Sequence, residues 1–294
     1  MYDLSESSVT SLTSSSSVSS SAIITEDRTT AKKVLDVEET FAPRPHLIYL
    51  VAKLIFAIWL LATMIISILE YAPYYGFWFA YLSSWGIVFT VMYQLCSFMC
   101  AALLAYNNKR RHLEGMNQIR QMKGCIGILL KITWTLFAVA FPAGLVIAVL
   151  FWVLVFKGRL AYTTFMLHGV AWIVMGVDGI IINRIPLRMK QFILYELFAI
   201  CYLIWSVLHS VLNVGNPWND DEEDDGTIYK VMDWKNNLGF TLGLALGLLL
   251  IGNPIAFLLC RAISRSLPLR CCNDDARQAF NDEESLGVSK SRAS

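Results

Sequence analysis

The chain has 294 residues, of which 56% are hydrophobic and only 16% charged, against about a quarter charged in soluble domains. That balance excludes an ordinary soluble globular protein, because the apolar surplus needs lipid to cover it. A net charge of +1, with no basic cluster interleaved with stacking aromatics, argues against nucleic acid as a partner.

Residues 1–44 are dominated by serine and threonine, as in Ser14 to Ser17 and Ser19 to Ser21. Too few large apolar residues are present to offset chain ordering, so a disordered tail is expected. No basic stretch precedes an uninterrupted apolar core there, so the tail does not read as a secretory signal. Residues 45–263 then hold apolar runs long enough to span about 30 Å of hydrocarbon, which takes roughly 20 residues of helix. They read as about six helices, near 47–69, 77–105, 126–156, 160–182, 190–213 and 238–260. The fold class is therefore all-α, a polytopic membrane helical bundle, and residues 264–294 form a second tail. The third run is long and contains Phe141-Pro142, which predicts a tilt or kink.

Lysine and arginine gather on the cytoplasmic side of membrane proteins. Lys109, Arg110, Arg111, Arg120 and Lys123 follow the second run, Arg184, Arg188 and Lys190 the fourth, and Arg261, Arg265 and Arg270 the sixth. Six crossings put all three groups on one side, with both termini cytoplasmic, in an endomembrane or the plasma membrane. The other side receives Tyr71–Gly76, the Lys157–Arg159 turn and a long loop with the acidic run Asp220–Asp225. Gly239, Gly243 and Gly247, four apart, form a ridge on which another helix can pack, within the chain or in an oligomer. Asn253-Pro254 should interrupt the same helix. Cys271-Cys272 beside Arg265 and Arg270 fits juxtamembrane palmitoylation or two ordinary thiols. No cysteine spacing suits zinc or a disulfide framework, and no cofactor is expected.

Ionisable residues inside a span are costly unless they face the bundle interior and find partners. Lys53, Lys131, Asp178 and Glu196 all lie about 6–10 Å from the cytoplasmic boundary at 1.5 Å per residue, which predicts a structural ion-pair belt. The alternatives are snorkelling lysines and protonated acids. In the other half, Ser83, Ser84, His168 and His209 share one level. A hydroxyl and an imidazole at one depth are the minimum of an activated nucleophile, although each can instead make an ordinary helix contact. Asp178 follows His168 by ten residues, roughly 15 Å of rise and 80° of rotation, so the two cannot touch. Two outer-half histidines also suit a haem, but no glycine-lined slot accompanies them.

Tyr81-Leu-Ser-Ser-Trp-Gly86, Leu167-His168-Gly169, Arg184-Ile-Pro-Leu-Arg188 and Ile228-Tyr-Lys-Val-Met-Asp-Trp234 occur in this order. The pattern over residues 45–263 resembles the rolling stone family, which looks related to the androgen-induced, FAR-type membrane hydrolases. In that hydrolase branch a threonine and a histidine cleave fatty-acid esters of hydroxy fatty acids. The resemblance implies Ser83 as the matching hydroxyl, His168 as the histidine and Asp178 as the acidic residue ten positions later. Serine replaces threonine, and the second, upstream histidine of the hydrolase branch is missing. The rolling stone branch itself is known for roles in myoblast fusion.

Two readings follow. One is an intramembrane lipid esterase with Ser83 as nucleophile, His168 as base and His209 or Asp178 in support. Its acyl chain would lie along Phe77, Trp78, Tyr81 and Trp85, which also suit an interfacial aromatic belt. The other is a non-enzymatic protein of adhesion, fusion or membrane organisation. The expected partners are membrane lipids, a lipid-ester substrate and a second copy joined through the glycine ridge.

Overall fold

The computed structural model describes residues 47–111, 119–156, 161–214, 216 and 227–266, with the side chains of 107–111 and 119–125 outside that description. The serine-rich tail, the acidic run, Lys157–Arg159 and Cys271-Cys272 lie outside the described residues, as do the side chains of the basic residues between the second and third spans. Six helices are long and apolar enough to cross a membrane. We label them α1 (Leu47–Leu69), α2 (Leu82–Tyr106), α3 (Ile126–Val155), α4 (Tyr162–Ile182), α5 (Met189–Val211) and α6 (Leu238–Ser266). An even number of crossings puts Leu47 and Ser266 at the same face. The opposite, distal face carries the connections after α1, α3 and α5.

The sequence of α1 shows why lipid is the solvent. Lys53, Ala57, Leu60, Thr63 and Ser67 are buried along one stripe at three- and four-residue spacing, the period of a helix face. Ile48, Ile55 and Ile58 on the other side are 78%, 58% and 59% exposed. Polar groups point inward and isoleucines outward, the reverse of a water-soluble helix.

Four of the helical runs differ either from regular form or from what the sequence suggests. The second was expected from about residue 77, but Tyr75–Ala80 is a 3-10 turn and Tyr81 is extended, at φ −84° and ψ 138°. The extended residue detaches that turn, and α2 starts at Leu82. In α3, Pro142 lies within a continuous helix, and residues 136–143 are all buried. Surrounding helices hold the turn that a proline would open in isolation. In α6, the turn Leu248–Gly252 is widened to π geometry just before Asn253-Pro254, after which helix resumes to Ser266. The missing Pro254 amide removes one rung of the ladder, and the wide turn absorbs the loss. Finally, α4 contains two π turns, Met166–Val170 and Val177–Ile182. His168 lies in the first and Asp178 in the second.

One buried cluster joins Leu60 of α1, Trp78 of the 3-10 turn, Ile87 and Val91 of α2, and Ala171 and Val174 of α4. Another joins Val139 and Ala143 of α3, Tyr195 and Phe198 of α5, and Phe257 of α6. Between α3 and α4 the rings of Phe137, Phe141 and Trp172 stack in sequence at 5.1 and 5.4 Å. Glycine makes room for them: a β-carbon on Gly179 would lie 2.0 Å from Phe137, and one on Gly144 would lie 2.9 Å from Trp172. Gly239, Gly243 and Gly247 behave differently, since a β-carbon on any of them meets nothing within 4 Å. Among the described residues nothing packs closely on that ridge.

Candidate functional site

Near the face that holds the chain ends, the structure assembles one buried polar centre. Lys53 Nζ donates to Asp178 Oδ1 at 2.5 Å, to Ser97 Oγ at 2.8 Å and to Asn183 Oδ1 at 2.8 Å. All three ammonium hydrogens are thereby used. Asp178 Oδ2 accepts from the Tyr93 hydroxyl at 2.8 Å, Ser97 Oγ at 2.8 Å and Asn183 Nδ2 at 2.9 Å. The two charges are 2% and 0% exposed, where only pairing and complete hydrogen bonding make ionisation tolerable. Of the four residues expected at this level, Lys53 and Asp178 meet. Lys131 is exposed, and Glu196 lies by Asn253, itself bonded to the Tyr195 hydroxyl at 2.9 Å. Equal depth did not ensure contact, because the four side chains leave their helices in different directions. The belt is one pair joining α1, α2 and α4.

Towards the distal face, Ser83 and His168 line two cavities in common. The first, of about 120 Å³, is apolar and walled by Ala143, Val146 and Ile147 of α3, Phe198 of α5, and Leu244 and Ala245 of α6. The second, of about 410 Å³, is the more polar of the two and is walled by Glu70, Tyr71, Tyr81, Thr163, Tyr229 and Lys230 among others. Ser83, Phe151, Leu154, Val155, His168, Tyr229 and Val231 belong to both linings. The hydroxyl and the imidazole therefore stand where an apolar and a polar chamber adjoin.

Local structure fixes each group. The His168 ring stacks on Phe151 with centroids 3.5 Å apart. Its Nδ1 lies 2.9 Å from the Thr164 carbonyl oxygen, which only accepts, so Nδ1 carries hydrogen and Nε2 offers the lone pair of the neutral ring. The π turn redirects backbone as well, since Trp152 Nε1 donates to the His168 carbonyl at 3.0 Å. Ser83 is the second residue of α2, where amides lack partners within the helix. The Tyr229 hydroxyl accepts the Leu82 amide at 3.1 Å and also reaches Ser83 and Tyr202. Tyr202 in turn donates to the Ala80 carbonyl at 3.1 Å. Burial, partly offset by these bonds, pushes the Tyr229 hydroxyl up to about 12, so it keeps its proton at physiological pH. No hydrogen bond joins Ser83 to His168 directly, and an ester carbonyl has the space of the adjoining chambers to enter.

The remaining candidates sit apart. His209 is 1% exposed, packs edge-on against Phe77 and Trp205, and lines neither chamber. Asp178 belongs to the lysine centre. The aromatic path expected for an acyl chain is also displaced: Trp78 is 1% exposed and donates to Ser67 Oγ at 3.0 Å, while Trp85 Nε1 is taken by the Phe79 carbonyl. The apolar chamber instead lies among α3, α5 and α6. Tyr229, missed as a site residue, was legible only as part of the Tyr-x-x-x-Asp-Trp element. That element is anchored at its other end, where Trp234 Nε1 donates to Ser206 Oγ at 3.0 Å and the Thr241 hydroxyl to the Asp233 carbonyl at 2.9 Å.

A family model described as protein rolling stone matches residues 43–261, which takes in the first five spans whole and the sixth as far as Arg261. No curated protein and no solved structure matches the chain.

Proposed function

The chain belongs to the rolling stone family, and from that premise we propose that it is an intramembrane lipid esterase using Ser83 and His168. The observation that carries this reading is the placement of both groups on the shared boundary of an apolar and a polar cavity. A lipid ester has the same two halves, joined at the bond to be cut.

In the reaction, Ser83 Oγ bonds to the acyl carbon as its proton passes to His168 Nε2. Collapse of the tetrahedral adduct breaks the ester C–O bond, and the leaving oxygen takes that proton from the imidazolium. Water then attacks the acyl-serine and gives its proton to His168, which returns it to Ser83 Oγ as the carboxylic acid departs. The Leu82 amide is held by Tyr229 and those of Ser84 and Trp85 by the Tyr81 carbonyl, so the Ser83 amide, with the positive end of α2 behind it, is the first-turn donor left for the developing oxyanion.

The test uses membranes containing the full chain, labelled with a fluorophosphonate and assayed for fatty-acid release from a lipid ester. Wild type should label and turn over. Ser83→Ala should lose both, and His168→Ala should lose about 10²-fold or more in rate. Correctly inserted wild type that neither labels nor releases fatty acid would sink the esterase reading.

One observation favours a second reading, a non-enzymatic protein of adhesion, fusion or membrane organisation. The open ridge of Gly239, Gly243 and Gly247 has the four-residue spacing that lets two helices approach closely. Association between differently tagged copies, lost in Gly243→Leu, is the corresponding test. For either reading we propose that both termini face the cytoplasm, as the flanking Arg184, Arg188, Arg261 and Arg265 favour. An acceptor site for glycosylation appended at the carboxyl end should then remain unmodified.

A further inference from the structure

We infer that the polar chamber binds an alkylammonium group, the cationic end of a zwitterionic lipid headgroup. The inference deepens the esterase reading by naming the substrate's headgroup, and it is tested by binding, so the two fail separately.

The chamber's volume, about 410 Å³, lies within the range of small-molecule sites. Its charge is set by two side chains, Glu70 and Lys230. Glu70 is exposed, and the Thr163 hydroxyl donates to its Oε2 at 2.7 Å. The one ion pair among the described residues is Lys53 with Asp178, so no described cation neutralises Glu70. Residue 70 also follows the last residue of α1 directly, which puts the carboxylate at headgroup depth.

Aromatic rings form the adjoining wall. Tyr71 and Tyr81 lie 5.5 Å apart at 56°, and Tyr81 and Tyr229 lie 5.7 Å apart at 70°. Rings so inclined make a corner rather than a stack, and a cation against ring faces is attracted by their quadrupoles. A carboxylate beside tyrosines is the combination that recognises alkylated ammonium. Burial, with Tyr81, Tyr229 and Glu70 adding to it, pushes the Tyr71 hydroxyl up, so this ring stays neutral.

Other occupants suit the wall less well. A sugar would depend on hydroxyls, and the two beside Glu70 are engaged: Ser67 Oγ donates to the Met64 carbonyl while accepting from Trp78, and the Thr163 hydrogen is used by Glu70. A purely anionic group would face Glu70. A phosphodiester carrying its own ammonium instead matches both signs present in the lining. The chamber's continuity with Ser83 and His168 then sets an acyl ester at the hydroxyl and its chain in the apolar cavity.

The experiment measures binding to full-length Ser83→Ala protein in nanodiscs, so that no probe is consumed. Lysophosphatidylcholine and lysophosphatidylglycerol of equal chain length are titrated by intrinsic fluorescence, with tetramethylammonium as competitor. The choline lipid should bind about tenfold more tightly than the glycerol lipid, the scale of one cation–aromatic contact plus one charge. Adding Glu70→Gln should remove most of that preference, and Glu70→Lys should invert it, an inversion that misfolding cannot produce. Displacement by tetramethylammonium identifies the ammonium as the recognised part. If tetramethylammonium binds while neither lysolipid does, the ligand is a small free amine and the lipid assignment falls. Equal binding of both lipids, unchanged by either Glu70 substitution, overturns the ammonium site altogether.

Discussion

At Lys53 and Asp178 a charge pair is placed where water cannot reach it, and the consequence of breaking it is asymmetric. Asp178→Ala would leave an ammonium with Ser97 and Asn183 as its remaining partners, at a cost of about 3–5 kcal/mol. The combination Lys53→Met with Asp178→Leu removes both charges and should cost less than either single change. Unfolding of the purified protein in mixed micelles would order the three variants, and a double variant worse than both singles would contradict this account. A second residue-scale effect lies outside the membrane. Burial is the largest single influence and pushes the Asp233 carboxyl up, but the Asn236 and Lys235 amides bonded to Oδ1, with the Asn236 side chain and the Lys235 charge, together outweigh it and hold the group below its ordinary value. A depressed carboxyl contributes stability above its unfolded pKa of about 3.9 and loses it as pH falls through the folded value. Protection of the Lys235 and Asn236 amides, taken relative to their intrinsic exchange rates at each pH, should therefore fall on acidification in wild type and show little such dependence in Asp233→Asn. What the sequence made legible here was depth along each helix. Direction around the helix was not, which is why Lys131 and Glu196 share a level with Lys53 yet take no part in its centre.

At the scale of elements, the bundle depends on glycines that no motif marked. The Gly239, Gly243 and Gly247 spacing was visible because it is regular, whereas Gly144 and Gly179 are isolated letters on different helices. Their role arises only once Phe137 and Trp172 are brought over them. Gly179→Ala sets a β-carbon 2.0 Å from the Phe137 ring, and overpacking of this kind costs about 1–3 kcal/mol. The paired substitution Gly179→Ala with Phe137→Leu should recover part of the loss, and thermal unfolding of single and double variants measures it. The π turns were similarly illegible. A wide turn adds no distinctive residue type, so nothing in Leu167-His168-Gly169 announces that its carbonyl is released to Trp152. The six-span count was legible because hydropathy sums over some twenty residues and averages away such local departures.

At the scale of the whole molecule, the proposed chemistry requires two chambers built by different helices to end at the same pair of side chains. The sequence placed Ser83 and His168 at one level, but α3, α5 and α6, which enclose the apolar chamber, contribute no residue that reads as a binding motif. Their apolar side chains are the ordinary composition of membrane helices, so the cavity emerges only from packing. This division of labour predicts that acyl-chain length and reactivity are separable. Ala245 on α6 is 3% exposed and lines the apolar chamber, well away in sequence from the reactive groups. Ala245→Trp should fill that chamber, cutting turnover of long-chain esters by about 10²-fold, on the scale at which hydrophobic pockets discriminate between chains. Short-chain esters and fluorophosphonate labelling at Ser83 should be little affected. Retained labelling shows that the variant folds, so a parallel loss across all chain lengths would mean that acyl chains lie elsewhere.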